Sequence, residues 1–109
     1  MTGKNENAQV QVFYRDVNER IAAISRDLGT GRLEILCECG AAGCTERVQI
    51  DDVDYERLRA EATHFALLDG HQDASVEDIV RACDGYLVVA NYGAAANVAR
   101  RTDPRAGTR

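Results

Sequence analysis

Apolar residues in the first third of the chain recur with the spacing of one face of an α-helix. They are separated by four, three, four, three and four positions, and they are Val10, Tyr14, Val17, Ile21, Ile24 and Leu28. Charged side chains occupy the other faces, so the pattern predicts an amphipathic helix over residues 10–28. Gly29 would end this helix in a left-handed conformation. The narrow heptad-spaced stripe suits either packing on the protein's own sheet or contact with another protein or a second copy of the chain.

Four later segments have the patterns of β-strands. In residues 33–39 every second position is apolar or cysteine, which is the period of a half-buried strand. Residues 48–50 begin a second strand after a glycine-containing loop, and residues 64–68 are a third candidate. The run 86–90 is apolar on both faces, which is typical of a central strand.

Two short helices are expected between these strands. Asp51 can cap a helix that begins near residue 52. Residues 75–78 resemble a capping box, and the helix that follows would place on one face Val76, Ile79, Val80 and Cys83. The elements together predict an α+β fold with a small antiparallel or mixed sheet, a long N-terminal amphipathic helix and two short helices.

Three of the four cysteines lie within eight residues. Cys37 and Cys39 stand two apart on a predicted strand, so their side chains leave the same face about 6 to 7 Å apart. The loop that follows can fold Cys44 back over them. In a reducing compartment such crowding indicates metal or redox chemistry rather than a disulfide framework. Zinc is the default ion for soft thiolates, so we expect the hairpin to form a zinc knuckle that binds one Zn²⁺ per chain.

A closed zinc site needs a fourth ligand, and three residues could supply it. His71 is the preferred candidate, because it follows an Asp-Gly turn that can aim its ring toward the cysteines. Cys83 is a rival, although its place on an apolar helical face suits a buried structural cysteine. His64 is a further alternative, but a histidine that begins a strand is more often solvated. The expected metal ligands are therefore Cys37, Cys39, Cys44 and His71.

The length of 109 residues suits a single domain. We expect one zinc-stabilised α+β domain over residues 10–92, a flexible N-terminus over residues 1–9 and a disordered tail over residues 93–109. No apolar run approaches the roughly 20 residues of a membrane span, and the first nine residues do not read as a signal peptide. These features favour a cytoplasmic protein without a membrane partner.

Acidic residues dominate the middle of the chain. Residues 33–92 contain 13 acidic residues against four arginines, a net charge of −9. The balancing cations lie in the first 32 residues and in the tail from Arg100 to Arg109. A surface of this sign repels phosphate backbones, so we expect no nucleic-acid partner.

The residue content favours a zinc-binding, non-catalytic interaction or regulatory module over an enzyme. The sequence has no P-loop, dinucleotide fingerprint or His-x-Glu beside its cysteines. Glu38 and Glu46 flank the cysteines, but such glutamates are ordinarily exposed strand and loop residues. A redox or zinc-responsive switch that uses the cysteine cluster is the alternative. A third hypothesis is a zinc-dependent enzyme in which water takes the place of His71.

Several motifs together resemble a group of short, largely uncharacterised actinobacterial proteins. The resemblance covers roughly residues 13–90. It is carried by residues 16–21, the Cys-Glu-Cys-x4-Cys-Thr-Glu pattern at 37–46, residues 55–59, Phe65, Gly70-His71 and residues 86–89. The resemblance implies a shared metal-binding domain with ligands at Cys37, Cys39, Cys44 and His71, and it implies no reaction. The chain departs from the group after Val89, where an extended tail follows.

Overall fold

The computed structural model describes residues 4–106, with side chains from residue 6 onward. Its helices and strands follow in the order α1 Lys4–Leu28, β1 Arg32–Leu36, β2 Arg47–Asp51, α2 Asp52–Arg59, β3 His64–Leu67, β4 Glu77–Cys83, β5 Tyr86–Asn91 and α3 Gly93–Arg101. The predicted α+β class is confirmed, as is the long N-terminal helix. No helix in the described range is both long enough and apolar enough to cross a membrane.

Helix α1 is longer than the sequence pattern indicated. It begins at Lys4, so residues 4–9 of the expected flexible N-terminus are helical, and residues 1–3 lie outside the described residues. Its predicted end is confirmed. Gly29 adopts φ +68° and its N–H donates to the Ser25 carbonyl at 2.9 Å, which closes the last turn.

The buried face of α1 coincides with the apolar stripe only in part. Of the six stripe residues only Tyr14 is buried, while Ile24 is 62% exposed and Leu28 is 72% exposed. The residues that α1 buries are largely small or polar, and they are Ala8, Gln11, Val12, Tyr14, Arg15, Asn18 and Ala22. The stripe therefore packs against the protein's own domain in part: Tyr14 is buried and Ile21 packs against the core, whereas the last two positions of the stripe are exposed.

The strands form two antiparallel sheets that meet beside the cysteines. β1 and β2 form a hairpin in which Ile35 lies opposite Val48. β5 is the centre of the second sheet, between β3 and β4, as its doubly apolar sequence predicted. The chain beyond β1 approaches β3, because the Glu38 N–H donates to the Ala66 carbonyl at 2.8 Å. This bond brings the cysteine segment against the second sheet.

The helix expected from the capping-box pattern is a strand. Ser75 bonds back to Asp73, and the Glu77 carboxylate accepts the Asp73 N–H at 2.8 Å, so these residues close a turn before β4. The register of β4 shifts between Ile79 and Arg81. That irregularity interrupts strict alternation, which explains why the apolar residues had a helix-like spacing.

The second short helix lies instead in the segment that was expected to be a disordered tail. Gly93–Arg101 forms α3, which buries Ala95, Ala96, Val98 and Ala99. The buried Arg15 of α1 donates to the Ala99 carbonyl at 3.2 Å and to the Thr102 hydroxyl at 2.9 Å. Beyond α3, Arg105 binds both Glu19 and Glu56. Residues 107–109 lie outside the described residues.

Candidate metal centre

Four side chains from two loops converge at one end of the β1–β2 hairpin. Cys37 and Cys39 directly follow β1, Cys44 lies in the loop before β2, and His71 lies in the turn after β3. One ligand atom from each residue lies within 4.8 Å of the other three. The structure thus brings together the four residues predicted from the sequence, close enough to hold a metal ion.

The spacing of these atoms suits tetrahedral coordination. His71 Nδ1 lies 3.5 Å from Cys37 Sγ and 3.7 Å from Cys44 Sγ. Ligand atoms at tetrahedral positions around an ion with bonds of about 2.0 to 2.3 Å lie roughly 3.5 Å apart. The observed separations are therefore those of a site that could accept an ion without large movements.

Backbone N–H groups point at each of the three sulfurs. Leu68 donates to Cys37 Sγ at 3.4 Å, Ala41 donates to Cys39, and Glu46 donates to Cys44. Such bonds favour the thiolate, which is the form that binds a metal.

The three thiols compete for protons because they lie so close together. A hydrogen bond from the Cys37 thiol lowers the pKa of Cys39 to about 4, and the same bond, together with burial, raises the pKa of Cys37. Burial raises the pKa of Cys44. A divalent cation among the sulfurs would replace the shared protons and favour all three thiolates.

A glycine turn places His71. Gly70 adopts φ +96°, a conformation that glycine accommodates readily, and the His71 N–H donates to the Leu68 carbonyl at 3.0 Å. The cluster found among the described residues includes neither of the rival ligands. Cys83 ends β4 and His64 begins β3, where burial lowers the pKa of the imidazole.

Glu38 has an environment that the sequence did not suggest. It was expected to be exposed, but it is 0% exposed and forms a bidentate ion pair with the buried Arg59 at 2.6 and 2.9 Å. Asn18 donates to the same carboxylate at 2.7 Å. The sequence offered one indication that Glu38 is buried, namely its place between two candidate metal ligands. A residue flanked by two ligands at the end of a strand can lie inside the domain.

Polar residues of α1 form hydrogen bonds with the backbone of the cysteine loop. Gln11 donates to the Glu38 carbonyl at 3.1 Å and to the buried Glu77 carboxylate at 3.1 Å. The Tyr14 hydroxyl lies 3.2 Å from the carbonyls of Ala41 and Cys44. These contacts explain why the inward face of α1 is polar, because its side chains donate hydrogen bonds to backbone carbonyls of the loop that holds the cysteines.

The fold and the cluster define a small α+β domain with a three-cysteine, one-histidine centre that could bind a metal. Comparisons of the chain with protein-family models, with curated proteins and with solved structures found no match. The function must therefore be argued from the site and the surface.

Proposed function

We propose that this protein is a zinc-stabilised, non-catalytic interaction or regulatory module. The observation that supports the proposal best is the convergence of Cys37, Cys39, Cys44 and His71 within 4.8 Å. Thiolate and imidazole ligands favour zinc among the common intracellular divalent ions. Four protein ligands fill a tetrahedral shell, so no position remains for a substrate or an activated water. Such a centre stabilises a fold rather than performing a reaction.

Elemental analysis of the purified protein tests the metal. We expect one zinc per chain, and we expect Cys39→Ser to lose it. Cys83→Ser is the matched control, since Cys83 lies outside the cluster, and it should keep one zinc. Wild-type protein that is folded without any bound transition metal would refute the proposal.

The outward face of α1 supports an interaction role. Phe13, Ile24 and Leu28 are 62%, 62% and 72% exposed, and their spacing places them on one side of α1. Large apolar side chains along one side of a helix are the anchors by which helices dock in a groove of another protein. We therefore propose that α1 contacts another protein or a second copy of this chain.

Sedimentation and cross-linking of wild type and Ile24→Asp test this contact. Val53→Asp is the control, because Val53 is an equally exposed apolar residue, at 73%, that belongs to α2 instead of α1. We expect Ile24→Asp, but not Val53→Asp, to abolish self-association or the capture of a partner. Equal behaviour of both variants and wild type would contradict the role of α1.

A redox switch is the second candidate, favoured by the closeness of three sulfurs and the partial exposure of Cys44. Peroxide would oxidise two thiolates to one disulfide and be reduced to water or hydroxide, and the site would release its ion. Zinc release measured with a chromogenic chelator, and its reversal by a thiol reductant with added zinc, would support this function. A zinc enzyme is less favoured, since His71 Nδ1 already lies 3.5 Å from Cys37 Sγ.

We also propose that the protein belongs to the actinobacterial group that its motifs resemble and acts in the cytoplasm without nucleic acid. The four free cysteines suit a reducing compartment. The acidic middle of the chain remains the argument against nucleic acid, and Arg105 of the basic tail already pairs with Glu19 and Glu56.

A further inference from the structure

Glu38 separates two candidate ligands and faces the interior. Its carboxylate accepts four hydrogen bonds: two from Arg59 at 2.6 and 2.9 Å, one from Asn18 at 2.7 Å and one from the Ala66 N–H at 3.0 Å. Both side chains of the ion pair are almost completely buried. Four hydrogen bonds fix the position of this buried carboxylate, and they therefore also restrain the backbone of Glu38.

The metal centre is assembled from two parts of the chain that meet only through tertiary contacts. One part is the segment that carries the three cysteines, and the other is the turn after β3 that carries His71. Glu38 joins them at Ala66, because its N–H donates to the Ala66 carbonyl at 2.8 Å while its carboxylate accepts the Ala66 N–H. Two residues beyond Ala66, Leu68 donates to Cys37 Sγ.

Stability alone is a poor explanation for this ion pair. Replacing a buried ion pair with apolar residues is often neutral or stabilising, because desolvation of both charges offsets their attraction. Arg59 lies against the rings of Tyr55 and Phe65, at 5.3 and 5.8 Å, which fixes the guanidinium as well. Its positive charge also neutralises the carboxylate, which would otherwise add to the negative charge of the nearby thiolates.

We propose that Glu38 is a positioning residue for the metal centre, with Arg59 as its fixed counter-ion. The carboxylate sets the distance between the cysteine segment and the His71 turn, so it determines the coordination geometry and affinity without touching the ion. This inference rests on the proposed function, since it requires that the four residues bind a metal.

Cobalt substitution tests the inference, because the visible spectrum of Co²⁺ reports coordination geometry. Glu38→Asp keeps the charge but is one methylene too short to reach both Arg59 and Ala66. Glu38→Gln keeps the length and an oxygen for the Ala66 N–H. We expect Glu38→Asp to change the Co²⁺ ligand-field bands and to weaken Zn²⁺ affinity about tenfold or more, as is usual when a group that supports a ligand is altered. Glu38→Gln leaves the buried Arg59 without its counter-ion, so we expect it also to change the Co²⁺ bands and to weaken Zn²⁺ affinity.

Arg15→Met is the matched control. Arg15 is a buried arginine that also lies over Phe65, at 5.3 Å, and it donates to Ala62, Ala99 and Thr102, which are not part of the cysteine segment. We expect this variant to melt at a lower temperature with unchanged Co²⁺ bands. A purely structural role for Glu38 would make its variants behave in the same way.

Three results would overturn the assignment of Glu38. The first is that Glu38→Asp has the Co²⁺ bands of wild type and a Zn²⁺ affinity within twofold of it. The second is that Arg15→Met is folded but loses the Co²⁺ bands. The third is that both Glu38 variants fail to fold in saturating Zn²⁺. The last result would make the network a folding determinant instead. Failure of wild type to bind Co²⁺ or Zn²⁺ at all is a different result, since it refutes the proposed function itself.

Discussion

The choice between His71 and Cys83 as the fourth ligand depends on the turn around each residue. His71 follows a glycine with φ +96° and its ring reaches two of the sulfurs, whereas Cys83 ends an edge strand beside Tyr86. The charge balance agrees with this assignment, because three thiolates and a neutral imidazole leave a zinc site at about −1 rather than about −2.

We predict that His71→Ala weakens zinc binding by more than the about 10- to 100-fold expected for a residue that only supports a ligand. Cys83→Ser should keep wild-type affinity and one zinc per chain. Competition with a chromophoric chelator measures both affinities, and alkylation counts the thiols that zinc protects. Zinc retained by His71→Ala with four protected thiols would show that all the ligands are cysteines.

Among the helices, α3 was the least expected from sequence, and its contribution to stability can be measured directly. Val98 is 4% exposed and packs in the core, while the adjacent Asn97 is exposed. We predict that Val98→Asp lowers the free energy of unfolding by roughly 3 kcal/mol, because it buries an unpaired charge.

Asn97→Asp places the same charge on the solvent side of the same helix and should change the free energy of unfolding by about 0.5 kcal/mol or less. Urea denaturation of both variants gives the comparison. Equal stability of the two variants would mean that the segment after Tyr92 is not part of the folded domain.

Arg105 joins the end of the chain to α1 and α2 through Glu19 and Glu56, at 2.8 and 2.7 Å. The hydrogen bond from Arg105 holds the pKa of Glu56 below its ordinary value. A carboxyl group with a lowered folded-state pKa contributes stability above its unfolded pKa, and this contribution is lost as the pH falls through the folded value.

We therefore predict that Arg105→Gln lowers the melting temperature at neutral pH, by the equivalent of about 1 kcal/mol or less, since Glu56 is largely exposed. The difference in melting temperature between Arg105→Gln and wild type should become smaller as the pH falls below the ordinary pKa range of carboxyl groups. Arg100→Gln, a change at an exposed arginine of α3, is the control. Thermal melts across this pH range measure this difference. A difference in melting temperature between Arg105→Gln and wild type that does not change with pH would contradict the prediction.

For the whole molecule, the candidate metal centre connects the β1–β2 hairpin with the turn that follows β3 of the second sheet. Structural zinc sites contribute on the order of 10 to 16 kcal/mol, which is comparable to the about 5 to 15 kcal/mol by which domains are stable. We predict that a strong chelator unfolds much of the domain. Circular dichroism and thermal melts monitor the loss, and an unchanged melt after verified metal removal would disprove it.

Local patterns in the sequence were sufficient for the features that depend on neighbouring residues. The period of two, the cysteine spacing and the Gly70 turn predicted β1, the sulfur cluster and the placement of His71, although the strand ends at Leu36 and the two cysteines expected on it follow it instead. Such features follow from backbone geometry over a few residues, so they can be recognised without knowing the rest of the fold.

Tertiary structure alone decided which surfaces of these elements are inside. The apolar stripe of α1 is exposed at Ile24 and Leu28, and several inward positions of the helix are polar, because they donate hydrogen bonds to a loop that lies 27 residues away in the chain. Glu38 is buried because Arg59, 21 residues later, supplies its charge partner. No local periodicity encodes a partner at that separation, since burial of a charge depends on where its counter-ion lies in three dimensions.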